Sequence, residues 1–100
     1  MIGDILKKTR NIYGYKASEM SEKLEISKSY LSEIENNKKK PSLDLLEKYS
    51  EIYGIKLSSL ILLSENFDEA KKTNKGDAFI RNLMIRLIDK MEPSSKVDQL

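Results

Sequence analysis

Five side chains that donate or accept hydrogen bonds cluster in one short segment of the chain: Lys28, Ser29, Tyr30, Ser32 and Glu33. The apolar Leu31 and Ile34 are spaced to bury one face of a helix, which leaves the five polar side chains facing outward. On such a face lysine can donate to guanine, glutamate can accept from cytosine, and serine can do either. The alternative is that these side chains are only solvated. We favour the first interpretation, a short helix that reads base edges in a DNA groove.

A run of three lysines, Lys38, Lys39 and Lys40, follows this segment directly. Such runs are usually only solvated, but a loop placed immediately after a groove-reading helix lies beside the sugar-phosphate backbone. We therefore expect phosphate contacts from the three lysines and from the preceding Asn37. Lys16, at the start of an earlier helix, is expected to hold a further phosphate together with the N–H groups of that helix.

The composition is that of a small globular protein, with 39% hydrophobic and 34% charged residues in a chain of 100 residues. Cysteine and histidine are absent, which excludes disulfides, thiolate zinc sites and most nucleophile–base pairs of hydrolases. The sequence carries no metal or nucleotide motif, no signal peptide and no apolar run of bilayer length. We expect a cytoplasmic protein that is not an enzyme and needs no cofactor. The net charge of +2 alone says little about nucleic acid.

The periodicity of apolar residues predicts an all-α chain. Helices are expected at residues 4–13, 17–24, 28–36, 43–53, 57–63 and 77–91. Ser27 and Ser42 are expected to cap the third and fourth helices, and Gly14, Asn37 and Gly54 to end helices. In the fourth helix, the residues expected to point inward are Leu43, Leu46, Tyr49 and either Ile52 or Tyr53.

These helices predict a compact five-helix bundle at residues 1–63, a polar linker at 64–76, a C-terminal amphipathic helix at 77–92 and a flexible tail at 93–100. The C-terminal helix is apolar at Ile80, Leu83, Met84, Leu87, Ile88 and Met91. We expect this surface to pair with its copy in a second subunit. Packing against the same bundle, and binding to a different protein or to a membrane surface, are the alternatives.

The chain resembles the lambda-repressor-like (Cro/xenobiotic-response-element) helix-turn-helix family over residues 3–63. The resemblance rests on Leu6, Arg10, Met20-Ser21, the stretch 26–32 (ISKSYLS), Ile34-Glu35, Pro41-Ser42, Leu46 and Gly54-Ile55. It implies a bundle of four or five helices that binds DNA, usually as a dimer, with the third helix in the major groove. It also implies that Arg10 and Glu35 form a structural ion pair between helices one and three.

The chain departs from the family pattern at three positions. Lys16 stands where Ser or Thr commonly caps the second helix, Ser21 replaces a small residue between the two motif helices, and Glu25 occupies the turn position usually held by Gly. We therefore expect another cap at Lys16, a hydrogen bond from Ser21 to its own helix or slight exposure, and strain or an altered turn at Glu25.

The function expected from the resemblance is sequence-specific transcriptional regulation by a repressor that binds a pseudo-palindromic operator as a homodimer. Two alternatives remain open at this point. The chain could be the antitoxin of a toxin–antitoxin pair, with residues 64–100 holding the toxin. It could also be a protein-interaction adaptor that keeps the bundle without binding DNA.

Overall fold

The computed structural model describes residues 1–91 and contains six helices. They are α1 (Ile2–Tyr13), α2 (Ala17–Leu24), α3 (Lys28–Glu35), α4 (Leu43–Tyr53), α5 (Leu57–Lys72) and α6 (Gly76–Met91). Across residues 1–91 no strand is present, in agreement with the predicted all-α class. The side chain of Met91 and the predicted tail at 93–100 lie outside the described residues.

The boundaries of the first four helices follow from local sequence. The hydroxyl of Ser27 accepts a hydrogen bond from the Tyr30 N–H, and that of Ser42 accepts one from the Leu45 N–H, so each serine caps the helix that follows it. Gly14 and Gly54 adopt the left-handed conformation that ends α1 and α4, with φ of 79° and 65°. Asn37 also has a positive φ just after α3, as predicted.

The core lies where the six helices meet, and α1 contacts α3, α5 and α6. Its buried apolar residues are Ile5, Leu6, Met20, Leu24, Leu31, Ile34, Leu45, Tyr49, Tyr53, Ile55, Leu60, Phe67, Leu83 and Leu87. One expectation for α4 was wrong: Leu43 is 62% exposed, whereas Leu45 is buried. Leu45, Tyr49 and Tyr53 share one face at four-residue spacing, and that face packs against the rest of the bundle.

Helix α5 corrects the predicted linker. Residues 64–72 continue α5, so only residues 73–75 separate it from α6. Leu60, Ser64 and Phe67 fall on one face and are all buried, which holds the polar segment against the bundle. The ring of Phe67 lies 5.7 Å from that of Phe79 at the start of α6. The helical spacing of Leu60, Ser64 and Phe67 was visible in the sequence, but the charged residues around them made the segment resemble a linker.

Helix α6 folds back on its own bundle. Leu83 and Leu87, two of the residues expected to form a dimer contact, are only 3% and 5% exposed and belong to the core. The helix that carries them contacts α1 and α5. Lys90 Nζ donates a hydrogen bond to the carbonyl of Gly54 at the end of α4. For Leu83 and Leu87, the alternative of packing against the same bundle is therefore correct, and they are not available for a contact with a second subunit.

The side of α6 next to the Leu83–Leu87 face stays apolar and accessible. Met84 and Ile88 are each 40% exposed and Ile85 is 59% exposed, while Ile80 is half-buried. Within residues 1–91, no helix has both the length and the hydropathy that crossing a bilayer requires.

Candidate nucleic-acid interface

Helices α2 and α3 form a rigid helix-turn-helix unit. Met20 and Leu24 of α2 and Leu31 and Ile34 of α3 are almost fully buried, so each helix is anchored through two positions of its inner face. The turn between them is closed by a hydrogen bond of 3.0 Å from the Ile26 N–H to the Ser21 carbonyl. This support fixes where the outer face of α3 points.

The departures at Ser21 and Lys16 are accommodated by local hydrogen bonds. Ser21 is buried, and its hydroxyl donates to the Ser18 carbonyl one turn earlier, at 3.0 Å. The backbone N–H of Lys16 donates to Glu19 Oε1 at 2.9 Å, which supplies half of a capping box. The Lys16 side chain carries no acceptor, so it makes no capping hydrogen bond to the first-turn N–H groups of α2.

The departure at Glu25 is accommodated at the expense of backbone strain. Glu25 has φ of 60° and ψ of 42°, the left-handed conformation that favours glycine. Its side chain is exposed, so no buried contact demands a glutamate at this position. The turn therefore keeps its shape with a residue that fits it poorly.

The outer face of α3 presents four of the five predicted base-reading residues. Lys28, Ser29 and Ser32 are exposed, and Glu33 is half-exposed beside them. Tyr30 is placed differently: it is half-buried and packs against the core at the edge shared with Leu24 and Leu45. Its ring therefore lies at the edge of this outer face rather than at its centre.

Asn36 is a residue of this face that sequence reasoning missed. It lies one turn after Ser32 and is exposed, and its side-chain Nδ2 donates to the Ser32 carbonyl at 2.9 Å and to Ser32 Oγ at 3.2 Å. Its four-residue spacing from Ser32 was the available signal. It was overlooked because Asn36 was interpreted only as the end of the helix.

The loop after α3 turns back over the end of that helix. The N–H groups of Lys38 and Lys39 both donate to the Glu33 carbonyl, at 2.8 and 3.2 Å. Lys38, Lys39 and Lys40 are all exposed. Lys39 Nζ lies 3.9 Å from Glu33 Oε1 and 6.0 Å from the centre of the Tyr30 ring, so one of the three lysines leans over the outer face of α3.

Asn37 has a structural role, which corrects its assignment as a phosphate ligand. Its Oδ1 accepts the Gly3 N–H at 3.0 Å, and its Nδ2 donates to Asp4 Oδ1 at 2.9 Å. The approach is so close that a Cβ at Gly3 would overlap both the Ile34 carbonyl oxygen and Asn37 Oδ1. Both polar groups of the Asn37 side chain are thus used to join the end of α3 to the first turn of α1.

The electrostatics of this junction depend on Asp4. Burial alone would raise the pKa of the Asp4 carboxyl, but hydrogen bonds from Lys71 and Asn37, with the attraction of Lys71, hold that pKa below its ordinary value. Lys71 Nζ lies 2.9 Å from Asp4 Oδ2, and this hydrogen bond raises the pKa of Lys71. The first turn of α1 is therefore tied to α5 as well as to α3.

Arg10 and Glu35 form the predicted ion pair between α1 and α3. Arg10 Nε and Nη2 donate to the two oxygens of Glu35 at 2.7 and 3.0 Å, and both side chains are buried. The hydrogen bonds to Glu35 raise the pKa of the Arg10 guanidinium. The pair faces the interior, so it holds α3 in place and does not belong to the outer face of that helix.

Comparison with known proteins agrees with this geometry. The helix-turn-helix family matches residues 6–60. The chain is 39% identical over 85 residues to the HTH-type transcriptional regulator SinR of Bacillus licheniformis, an alignment that covers 84% of this chain and 74% of that protein. It is 34% identical over 76 residues to the HTH-type transcriptional regulator ImmR of Bacillus subtilis, covering 76% of this chain and 57% of that protein.

A solved structure is similar in fold as well as in sequence. It is described as the crystal structure of SinR, the master regulator for biofilm formation, in complex with DNA. Its chain is 42% identical to this one, the TM-score is 0.57, and the match covers 61% of this chain and 98% of that one. The match to a helix-turn-helix profile over more than half of the residues, and the identity to SinR, lead to one conclusion: this chain belongs to the Cro/C1-type helix-turn-helix family.

Proposed function

We propose that this protein is a sequence-specific DNA-binding transcriptional repressor. The observation that carries the proposal is the exposed polar face of α3. The buried inner faces of α2 and α3 and the Arg10–Glu35 pair hold that face in one orientation. A relative of known structure was solved in complex with DNA, and two other relatives are named transcriptional regulators, which supports the same assignment.

In this proposal α3 enters the major groove with its outer face against the base edges. Lys28, Ser29, Ser32 and Glu33 contact bases, and Tyr30 contacts a thymine methyl or a phosphate from the flank. Lys16 with the first N–H groups of α2 holds one phosphate, and Lys38, Lys39 and Lys40 hold others beyond the end of α3. The bound protein represses by occluding polymerase.

We further propose that the protein binds a pseudo-palindromic operator as a homodimer. The exposed apolar side of α6 supports this dimer. Met84 and Ile88 lie next to the half-buried Ile80, and burying this apolar surface against a second subunit would remove it from water. Leu83 and Leu87 do not take part in the proposed subunit contact, because both are already buried in the core of their own chain. A two-fold arrangement would place the two copies of α3 about 34 Å apart, one DNA turn.

The proposal is tested by selecting binding sites for the purified full chain from a pool of random duplexes. We expect one enriched motif with two-fold symmetry. Lys28→Ala should then reduce discrimination between that motif and scrambled DNA by about 1–3 kcal/mol, whereas Lys75→Ala, an equally exposed lysine between α5 and α6, should not. Failure to bind any duplex at low salt would contradict the proposal and favour the adaptor alternative.

A further inference from the structure

A polar cleft, the α1 cleft, lies beside the end of α3, where that helix meets α1 and α5. Helix α1 lines it with Lys7, Lys8 and Asn11, whose three- and four-residue spacing places them on one side of the helix. All three side chains are exposed, and the exposed Asn36 lines the cleft from the end of α3. The cleft is therefore open to a ligand that also touches the end of α3.

Two acidic side chains line the α1 cleft, and each is already paired. The carboxylate of Asp4 is held by Lys71 Nζ at 2.9 Å, and that of Glu35 accepts two hydrogen bonds from the buried arginine of α1. Within residues 1–91, neither Lys7 nor Lys8 forms an ion pair. The cleft thus offers two uncompensated ammonium groups and one amide, a set of donors that suits a phosphate group.

The α1 cleft is continuous with the outer face of α3. Asn36 belongs to both, because its amide also bonds Ser32 one turn earlier on that face. Tyr30 and Glu35 border the outer face on its two sides, since five steps of about 100° place them about 140° apart around the helix axis. Lys39 leans towards Tyr30, whereas the α1 cleft lies on the side of Glu35. The lysine loop (residues 38–40) and the cleft therefore lie on different flanks of α3.

We propose that Lys7, Lys8 and Asn11 form a further phosphate site, which binds the DNA backbone on the flank of α3 away from the lysine loop. This inference rests on the proposed function, since it needs α3 in the major groove, where a sugar-phosphate backbone runs along each side of the helix. The two lysines neutralise phosphate charge, and the amide of Asn11 donates a hydrogen bond. The site positions the protein without reading bases.

The first test measures the dependence of binding on salt. The Lys7→Gln, Lys8→Gln double variant of the full chain should weaken binding to all duplexes and flatten the slope of log K against log salt by roughly 0.9 for each lost phosphate contact. Lys56→Gln with Lys75→Gln removes the same charge from exposed sites elsewhere and should change the slope much less. The bases selected from random duplexes should stay the same in both double variants.

A second test locates the contact on the DNA. Hydroxyl-radical footprinting on the selected site should show that the Lys7→Gln, Lys8→Gln variant loses protection at one group of sugars. Replacing all three lysines of the loop by Gln should lose protection at a different group, because the loop lies on the other flank of α3. Coincident losses would contradict the proposed placement.

A charge placed in the cleft gives a third test. Asn11→Asp should weaken binding to all duplexes by about tenfold at low salt, because a carboxylate repels the phosphate that the amide would bind. Asn66→Asp, at an exposed asparagine of α5, is the matched control and should have little effect. Circular dichroism of each variant checks that the helices remain folded.

The outcomes separate this inference from the proposed function. If the unmodified protein selects a motif, but the Lys7→Gln, Lys8→Gln variant keeps both its salt slope and its footprint, the inference is overturned while the proposed function stands. If the unmodified protein binds no duplex at low salt, both are wrong.

Discussion

Arg10 of α1 and Glu35 of α3 are joined by two hydrogen bonds, and Arg10 Nη1 also donates to the Tyr15 carbonyl at 2.9 Å. One guanidinium therefore holds both the end of α3 and the loop that leads into α2. Because burying two charges costs desolvation free energy that offsets much of their attraction, the pair contributes more to the orientation of these elements than to net stability.

Arg10→Met should lower the free energy of unfolding by about 3–5 kcal/mol, because the buried Glu35 carboxylate loses its partner. Adding Glu35→Leu should recover much of this loss, since neither charge is then buried. Urea denaturation of the two single variants and the double variant measures the coupling. Losses that simply add would mean that the two side chains act independently.

The strained turn at Glu25 predicts a stabilising substitution. Glu25→Gly should raise the free energy of unfolding by about 1 kcal/mol, because glycine adopts a positive φ without the steric cost that glutamate bears. In a domain of this size that corresponds to about 4–8 °C in thermal midpoint. Gly14→Ala is the matched control: it has a φ of 79° and open space around its Cβ, so it should lower stability by a similar amount.

The parts of the fold that local sequence specifies were predictable. Ser27 and Ser42 cap the helices that begin at the next residue, and Gly14 and Gly54 end α1 and α4, as expected. The resemblance to a known family supplied the Arg10–Glu35 pair. These features depend on neighbours in sequence or on a recurrent motif.

The remaining features depend on distant partners, and single-sequence reasoning missed them. Asn37 was assigned to phosphate because it precedes three lysines, yet its amide bonds Gly3 and Asp4, which lie 34 and 33 residues away along the chain. The continuation of α5 depends on Phe67 meeting the core and Phe79, which polarity alone did not reveal. Only the packing of α6 showed which of its apolar residues are buried.

The lysine loop should provide a nonspecific part of DNA binding. Replacing Lys38, Lys39 and Lys40 by Gln should weaken binding to all duplexes alike and flatten the dependence of log K on log salt by roughly 0.9 per lost phosphate contact. Replacing Lys56, Lys72 and Lys75 by Gln removes the same charge from exposed sites elsewhere and should change the slope much less. An unaltered slope in the loop variant would show that the run is only solvated.

The junction between Asn37 and Asp4 should respond to pH in a defined direction. The folded-state pKa of Asp4 is lowered, so its stabilising contribution is present above its unfolded pKa of about 3.9 and is lost as pH falls through the folded value. Asn37→Asp replaces the donor by a second carboxylate. We expect it to cost about 1–2 kcal/mol of unfolding free energy at pH 7 and much less near pH 3, where a protonated carboxyl can donate again. A penalty that stays constant between these pH values would contradict this role.

The exposed side of α6 should determine the oligomeric state. Met84 and Ile88 are each 40% exposed within one chain, so Met84→Glu with Ile88→Glu should leave the fold intact while placing charge in the proposed subunit contact. We expect sedimentation to show a dimer for the unmodified protein and a monomer for the double variant, with weaker operator binding because one subunit then reaches only one half-site.

Leu43→Glu, which changes an exposed leucine of α4, is the control and should keep the dimer. Truncation after Gly76 is a poorer test, since it also removes Leu83 and Leu87 from the core. A double variant that still sediments as a dimer would place the contact elsewhere, and an unmodified protein that sediments as a monomer would contradict the homodimer.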